Sequence, residues 1–240
     1  MYYYKLIELT TMKKLTCQLA ISLFILSMTL SAAAQQPDPQ NPVPENMAVP
    51  SEWEVRLDNP DKDVTISSHP DSADIFFVNM KPGWHITTGP RAIFWHPASS
   101  AKGTYRAYTK IHLFDPKGRN EAFGLFFGGK NLKEENQTYT YFLLRNSGEY
   151  LIKKRIGDGT EMVKGWTNTN AMVQFTDATE TSVANSLSVE VGDEEISFFV
   201  NGEKVETLPK DQVDIEGLVG LRVNHRLDLH IEDFGVEKLE

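Results

Sequence analysis
Cysteine is almost absent from this chain. Cys17 is the only one in 240 residues, so no internal disulfide can form and no thiolate metal centre can be built. Long helical patterns are missing too. Past residue 34 no three-and-four apolar spacing lasts more than a turn or two, apart from a weak helical pattern at Pro209 to Val213. There is no internal repeat and no heptad pattern. Basic residues are outnumbered, with 24 Lys and Arg against 33 Asp and Glu and a formal net charge of −9, which argues against a nucleic-acid partner or an anionic membrane surface. No G-x-S-x-G elbow, H-E-x-x-H zinc motif or phosphate loop occurs.

The apolar stretch Leu19 to Leu30 falls short of the roughly 18 residues that a membrane span needs. Lys13 and Lys14 precede it and Ala32-Ala33-Ala34 follow, which is the order of a secretory signal over residues 1–34. Cys17 lies inside that signal. Residues 35–50 carry five prolines and little to bury, and read as an extended linker. Residues 51–240 then form one domain. The expected location is secreted or periplasmic, with no stable membrane insertion after signal cleavage.

What the domain has in abundance is two-residue alternation. In the stretch from Ser186 to Leu208, Leu187, Val189 and Val191 alternate with polar residues, and Ile196, Phe198 and Val200 resume the pattern after a turn. Folding at Asp193-Glu194 places Val191 opposite Ile196, Val189 opposite Phe198 and Leu187 opposite Val200. A slip of one residue would turn the whole set into water. Asn201-Gly202 supplies the left-handed pair of a tight hairpin and is expected to set Val205 opposite Phe198. A second hairpin turns at Asn146-Ser147-Gly148, where a three-residue loop pairs Arg145 with Glu149, Leu143 with Leu151 and Tyr141 with Lys153, and a two-residue loop shifts this register by one. A third pairing is expected of Val219, Leu221 and Val223 with Ile231, Leu229 and Leu227, with Arg222 opposite Asp228. Phe234 and Val236 fall out of phase, which requires a bulge near Glu232-Asp233. Around a dozen such strands and no long helix specify an antiparallel β-sandwich.

Candidate binding residues cluster early in the domain. Trp84-His85 and Trp95-His96 set a histidine beside a tryptophan twice. Indole rings stack on sugar faces and imidazoles bond hydroxyl groups, although burial statistics favour tryptophans in the core. From Thr104 to Phe114 one strand face carries Arg106, Tyr108, Lys110 and His112, suited to a polyhydroxylated or acidic ligand. Trp166 sits in a polar loop, GWTNTN, as a further candidate platform, although a core plug is the commoner fate of such a ring. Asp58, Asp61 and Asp63 supply oxygen ligands for a hard cation such as Ca²⁺, but without EF-hand spacing a solvated turn is the favoured account.

The segments PGWHITTGP (Pro82 to Pro90), GLFFGGKNL (Gly124 to Leu132), YFLLRNSGEYLIKKR (Tyr141 to Arg155), FFVNGEKVETLP (Phe198 to Pro209) and GLVGLRVNHRLDLHI (Gly217 to Ile231) together resemble secreted bacterial proteins with a laminin-G-like or concanavalin-like jelly roll. The chain is similar, over about Trp53 to Val236, to the 3-keto-disaccharide hydrolase-type domain. This resemblance implies a carbohydrate-related role. Jelly-roll β-glucanases carry Glu, Asp and Glu at alternating strand positions, whereas Glu190, Asp193, Glu194 and Glu195 straddle a turn here. Three functions follow. One is a module that binds an oligo- or polysaccharide through Trp84, His85, Trp95, Arg106, Tyr108, Lys110 and His112. Another is a hydrolase or lyase of oxidised or acidic sugars, with His85 or His112 as general base and Arg106 or Lys110 at an oxyanion. The last is an envelope interaction domain, which burial of both Trp84 and Trp95 would favour. No cofactor is expected beyond the Ca²⁺ possibility.

Overall fold
The computed structural model describes residues 47–59, 63–179 and 181–239. The expected signal, most of the linker, Cys17 and Asp61 lie outside the described residues. In chain order the strands are β1 (Glu54–Leu57), β2 (Ile66–Ser67), β3 (Ile75–Asn79), β4 (Trp84–Thr88), β5 (Ala92–Ala101), β6 (Tyr105–Phe114), β7 (Ala122–Lys130), β8 (Thr138–Arg145), β9 (Glu149–Ile156), β10 (Gly159–Asn168), β11 (Ser182–Val191), β12 (Glu195–Val200), β13 (Glu203–Pro209), β14 (Gly217–Val223) and β15 (Asp228–Lys238). The helical pattern at Pro209 to Val213 amounts to a short 3₁₀ turn, Lys210–Gln212.

Two sheets form. One has seven strands in the order β1-β5-β14-β7-β8-β9-β10 and the other eight, β13-β12-β11-β6-β15-β4-β3-β2. Every pairing is antiparallel except the two-residue contact of β2 with β3. Alternation explains the packing. β6 is buried at every odd residue from Tyr105 to Leu113 and partly exposed at every even one, as a strand covered on one face must be. The inward sets of both sheets meet in one core that includes Phe94, Phe123, Phe127, Phe142, Phe198 and Phe234, all fully buried. Burial of each ring stabilises the fold by about 2 kcal/mol.

The local registers hold. Val191 faces Ile196, Val189 faces Phe198 and Leu187 faces Val200, and the β8–β9 hairpin pairs Arg145 with Glu149, Leu143 with Leu151 and Tyr141 with Lys153. Asn201 and Gly202 take φ of 50° and 81°, the left-handed pair that the tight turn requires. Val205 does not face Phe198, however. A register shift sets Phe198 against Glu206 and Phe199 against Lys204, so Val205 occupies the bulge.

The pairing of β14 with β15 is corrected outright. β14 lies between β5 and β7, and β15 lies between β6 and β4 in the opposite sheet. The apolar residues of each do face the core, but from opposite sides of it. A short polar link between two alternating segments fits a crossover between sheets as well as a hairpin, and periodicity alone cannot separate them. The bulge in β15 is present, with its shift between Ile231 and Asp233, and it turns Phe234 inward.

Candidate functional site
The outer face of the eight-stranded sheet gathers five of the seven expected binding residues. β6 projects Arg106, Tyr108, Lys110 and His112 from that face, since its odd residues are buried. Register then sets His230 of β15 beside His112, and His85 of β4 beside His230. The imidazoles form a row across three strands, with ring centroids 5.8 Å apart for His112–His230 and 6.3 Å for His85–His230.

Carboxylates of β15 fix this row. His85 Nε2 lies 2.7 Å from Asp228 Oδ1, and the Thr87 hydroxyl donates to the same oxygen at 3.1 Å. His112 Nε2 lies 2.6 Å from Glu232 Oε2, which also receives Lys110 Nζ at 2.8 Å. Partial burial would raise the pKa of Asp228, but hydrogen bonding and the charge of His85 prevail and hold it below the ordinary value. Glu232 is likewise held low by the hydrogen bonds from Lys110 and His112. His230 is depressed, chiefly by desolvation, against a raising contact with the Pro82 backbone. Residues 228, 230 and 232 were legible as one strand face, but assigning β15 to a hairpin with β14 hid their place beside β6 and β4.

Further along β6, Arg106 Nη1 donates to Glu237 at 3.1 Å, its Nε lies 3.6 Å from Glu190, and its guanidinium sits 5.3 Å from the Tyr108 ring centroid. Tyr108, Lys110 and Arg106 border a groove of about 470 Å³ floored by Ser186, Ser188 and Leu187 of β11. Arg106 and His112 are six residues apart on one strand, roughly 20 Å, so they do not converge on one reacting atom. Lys110 and His112 do lie together, through Glu232. The Lys110, His112 and Arg106 side chains all have carboxylate partners, Glu232 for the first two and Glu237 and Glu190 for the last.

The two tryptophans expected beside these residues are elsewhere. Trp84 is 2% exposed and packs in the main core against Trp53. Trp95 is 3% exposed and belongs to a second apolar cluster, with Phe126, Tyr139, Tyr141, Leu143 and Leu151, on the side of the seven-stranded sheet away from that core. Large aromatic side chains next to a histidine on a strand alternate with it across the sheet, so each His–Trp pair divides between two faces. Neither indole is available as an exposed platform. His96 is buried too, with Nε2 3.5 Å from Glu52.

Asp58 is engaged in ion pairs. Arg222 donates to both of its oxygens, at 2.8 and 2.6 Å, and Arg91 Nε lies 3.0 Å away. Arg222 Nη1 also donates to the Tyr139 hydroxyl at 2.8 Å, and its guanidinium stacks 4.7 Å from the Tyr141 centroid. Burial pushes the Tyr139 hydroxyl up to about 12. Burial opposes charge on Asp58, yet the hydrogen bonds and charge of Arg222 hold its carboxyl below the usual value. Asp63 is exposed, and among the described residues no group of three or more His, Cys, Asp or Glu side chains is placed to hold a metal ion. The buried Asp58–Arg222 cluster had no sequence signal, because its members are brought together only by the β1, β8 and β14 positions in the finished sheet.

No protein-family model and no curated protein sequence matches the chain. Solved structures share its architecture. The carbohydrate-binding module CBM66 from Bacillus subtilis superposes with a TM-score of 0.54 at 13% identity, over 78% of this chain and 96% of that one. A GH16 protein of a mixed-linkage glucan locus of Bacteroides ovatus, solved with a G4G4G3G product, gives 0.51 at 10% identity, over 77% and 94%. A galectin-like protein of unknown function from Bacillus subtilis gives 0.47 at 12% identity, over 78% and 89%. The strand order, the register and the first two superpositions establish an antiparallel β-sandwich of the jelly-roll type.

Proposed function
We propose that the protein is a secreted or periplasmic carbohydrate-binding module that holds a neutral, hydroxyl-rich glycan on the outer face of its eight-stranded sheet. The observation that carries this reading is the groove beside Tyr108, where the rings of Tyr108 and Phe199 lie among hydrogen-bonding side chains, of which Arg106 and Lys110 are held by ion pairs. A ring face with oriented donors and acceptors suits a sugar, which has apolar C–H faces and a rim of hydroxyls. The β-sandwich architecture, shared with a carbohydrate-binding module and a GH16 protein, supports the same reading. Catalysis through His85 fits less well. Its Nε2 is taken by Asp228 and its Nδ1 is buried without a partner, so neither ring nitrogen is presented to a substrate proton.

A second reading, an envelope interaction domain, is favoured by the burial of both Trp84 and Trp95. Saturation-transfer NMR of the protein against neutral and uronic oligosaccharides separates the two. Transfer to neutral sugars that Tyr108→Ala reduces, with an unchanged melting temperature, is the expected result. No transfer to any sugar would leave the interaction domain in front, and new anomeric signals overnight would instead mark an enzyme.

A further inference from the structure
Trp166 stands apart from the other tryptophans. It is 36% exposed, whereas Trp84 and Trp95 are buried and Trp53 packs against Phe77, Trp84 and Phe234. The polar segment that carries it is a strand and not a loop. β10 is the edge of the seven-stranded sheet, paired to β9 alone, and two register shifts accompany the exposure of most of its residues.

The ring is also fixed. The Arg145 guanidinium lies 4.1 Å from its centroid, and Arg145 is held by Glu149 Oε2, which receives Nε at 2.8 Å and lies 2.6 Å from Nη2. The Ser147 hydroxyl donates to the same carboxylate. Asn120 Nδ2 donates to Ser147 Oγ at 3.0 Å, and Asn120 Oδ1 accepts from the Ser147 amide at 2.9 Å. A cation placed against one face of an exposed indole leaves the ring oriented. Arg145 shares its face with Leu143 and Leu151, so the platform lies on the outer side of the seven-stranded sheet.

We propose that Trp166 is a sugar-stacking platform that takes the apolar face of a neutral pyranose, with Glu149, Ser147 and Asn120 meeting its hydroxyl rim. The proposal rests on the carbohydrate-binding half of the function above and not on the Tyr108 groove. The groove and the platform are on opposite outer sides of the sandwich, so one short oligosaccharide cannot reach both. Two sites facing apart make the protein a bridge between glycan chains.

The test is titration of the full chain with cellotetraose and with tetragalacturonate, following the indole N–H signals of the tryptophans by NMR. Cellotetraose should move the Trp166 signal, Trp166→Ala should weaken binding about tenfold, and Trp166→Phe should keep most of the affinity with an unchanged melting curve. Tyr108→Ala should leave the Trp166 shift in place. Binding that is lost in Tyr108→Ala but equals wild type in Trp166→Ala would overturn the platform and uphold the groove. Preference for tetragalacturonate would overturn the neutral ligand. No response from the wild-type protein to either sugar would sink both sites, and a Trp166-dependent self-association without a sugar response would make β10, with its exposed Met162, a protein contact instead.

Discussion
Arg222 closes a two-pronged hydrogen bond on Asp58, with Nη1 to Oδ1 at 2.8 Å and Nη2 to Oδ2 at 2.6 Å, across 164 residues of chain. Both side chains are under 10% exposed, at 6% and 8%. Removing one partner leaves the other charged and buried, which costs about 3–5 kcal/mol. Asp58→Ala should therefore lower the denaturation midpoint strongly. The pair Asp58→Leu with Arg222→Met should cost much less, because that ion pair leaves no charge stranded, and chemical denaturation of the wild type and the two variants checks the order.

Asn185 is fully buried, and its amide does three jobs. Oδ1 accepts from the Val173 amide at 2.8 Å and from Asn201 Nδ2 at 2.9 Å, while Nδ2 donates to the Val173 carbonyl at 2.9 Å. It ties the segment between β10 and β11 to the Asn201-Gly202 turn. Asn185→Leu should destabilise by about 1–3 kcal/mol and speed amide exchange at Val173 well before the core strands respond.

His230 has a pKa lowered mainly by desolvation, among the charges of His85, His112 and Glu232, and with Lys110 and Asp228 paired close by. A histidine whose folded value is depressed binds fewer protons when folded than when unfolded, so its stability contribution is complete above the unfolded value, about 6.5, and is lost as pH falls below it. The depressed carboxylates Asp228 and Glu232 act only at lower pH. The melting temperature should be lower at pH 5.5 than at pH 7.5, and His230→Gln should narrow that gap.

Gly202 has φ of 81°, and a Cβ there would touch nothing within 4 Å. Any cost of substitution is therefore conformational and not steric. Gly202→Ala should cost about 1 kcal/mol, readable as a parallel shift of the unfolding curve with no change in slope.

Hairpins were legible because their partners are close in sequence and their apolar faces must coincide. The register at Val189–Phe198 and the bulge before Phe234 followed from period two alone, whereas that at Leu143–Leu151 also depended on the loop having three residues. The β14–β15 pairing failed for the same reason that these succeeded: alternation reports which face is apolar and is silent on which sheet the face belongs to. Arg106, Tyr108, Lys110 and His112 were readable as one face of one strand. Their carboxylate partners on β15, and the neighbouring row of His230 and His85, needed the crossover. Trp84 and Trp95 looked like sugar platforms by composition, whereas Trp166, the exposed one, was distinguished only by its polar neighbours.

The last two strands each occupy the interior of a sheet, β14 between β5 and β7 and β15 between β6 and β4. Until they arrive, each sheet is two fragments with raw edges. Neither sheet can close until β14 and β15 are in place, so assembly of both waits on these two strands. A nonsense mutation just before Gly217 would thus yield no trimmed domain but a pair of sticky half-sheets, prone to find each other in neighbouring molecules.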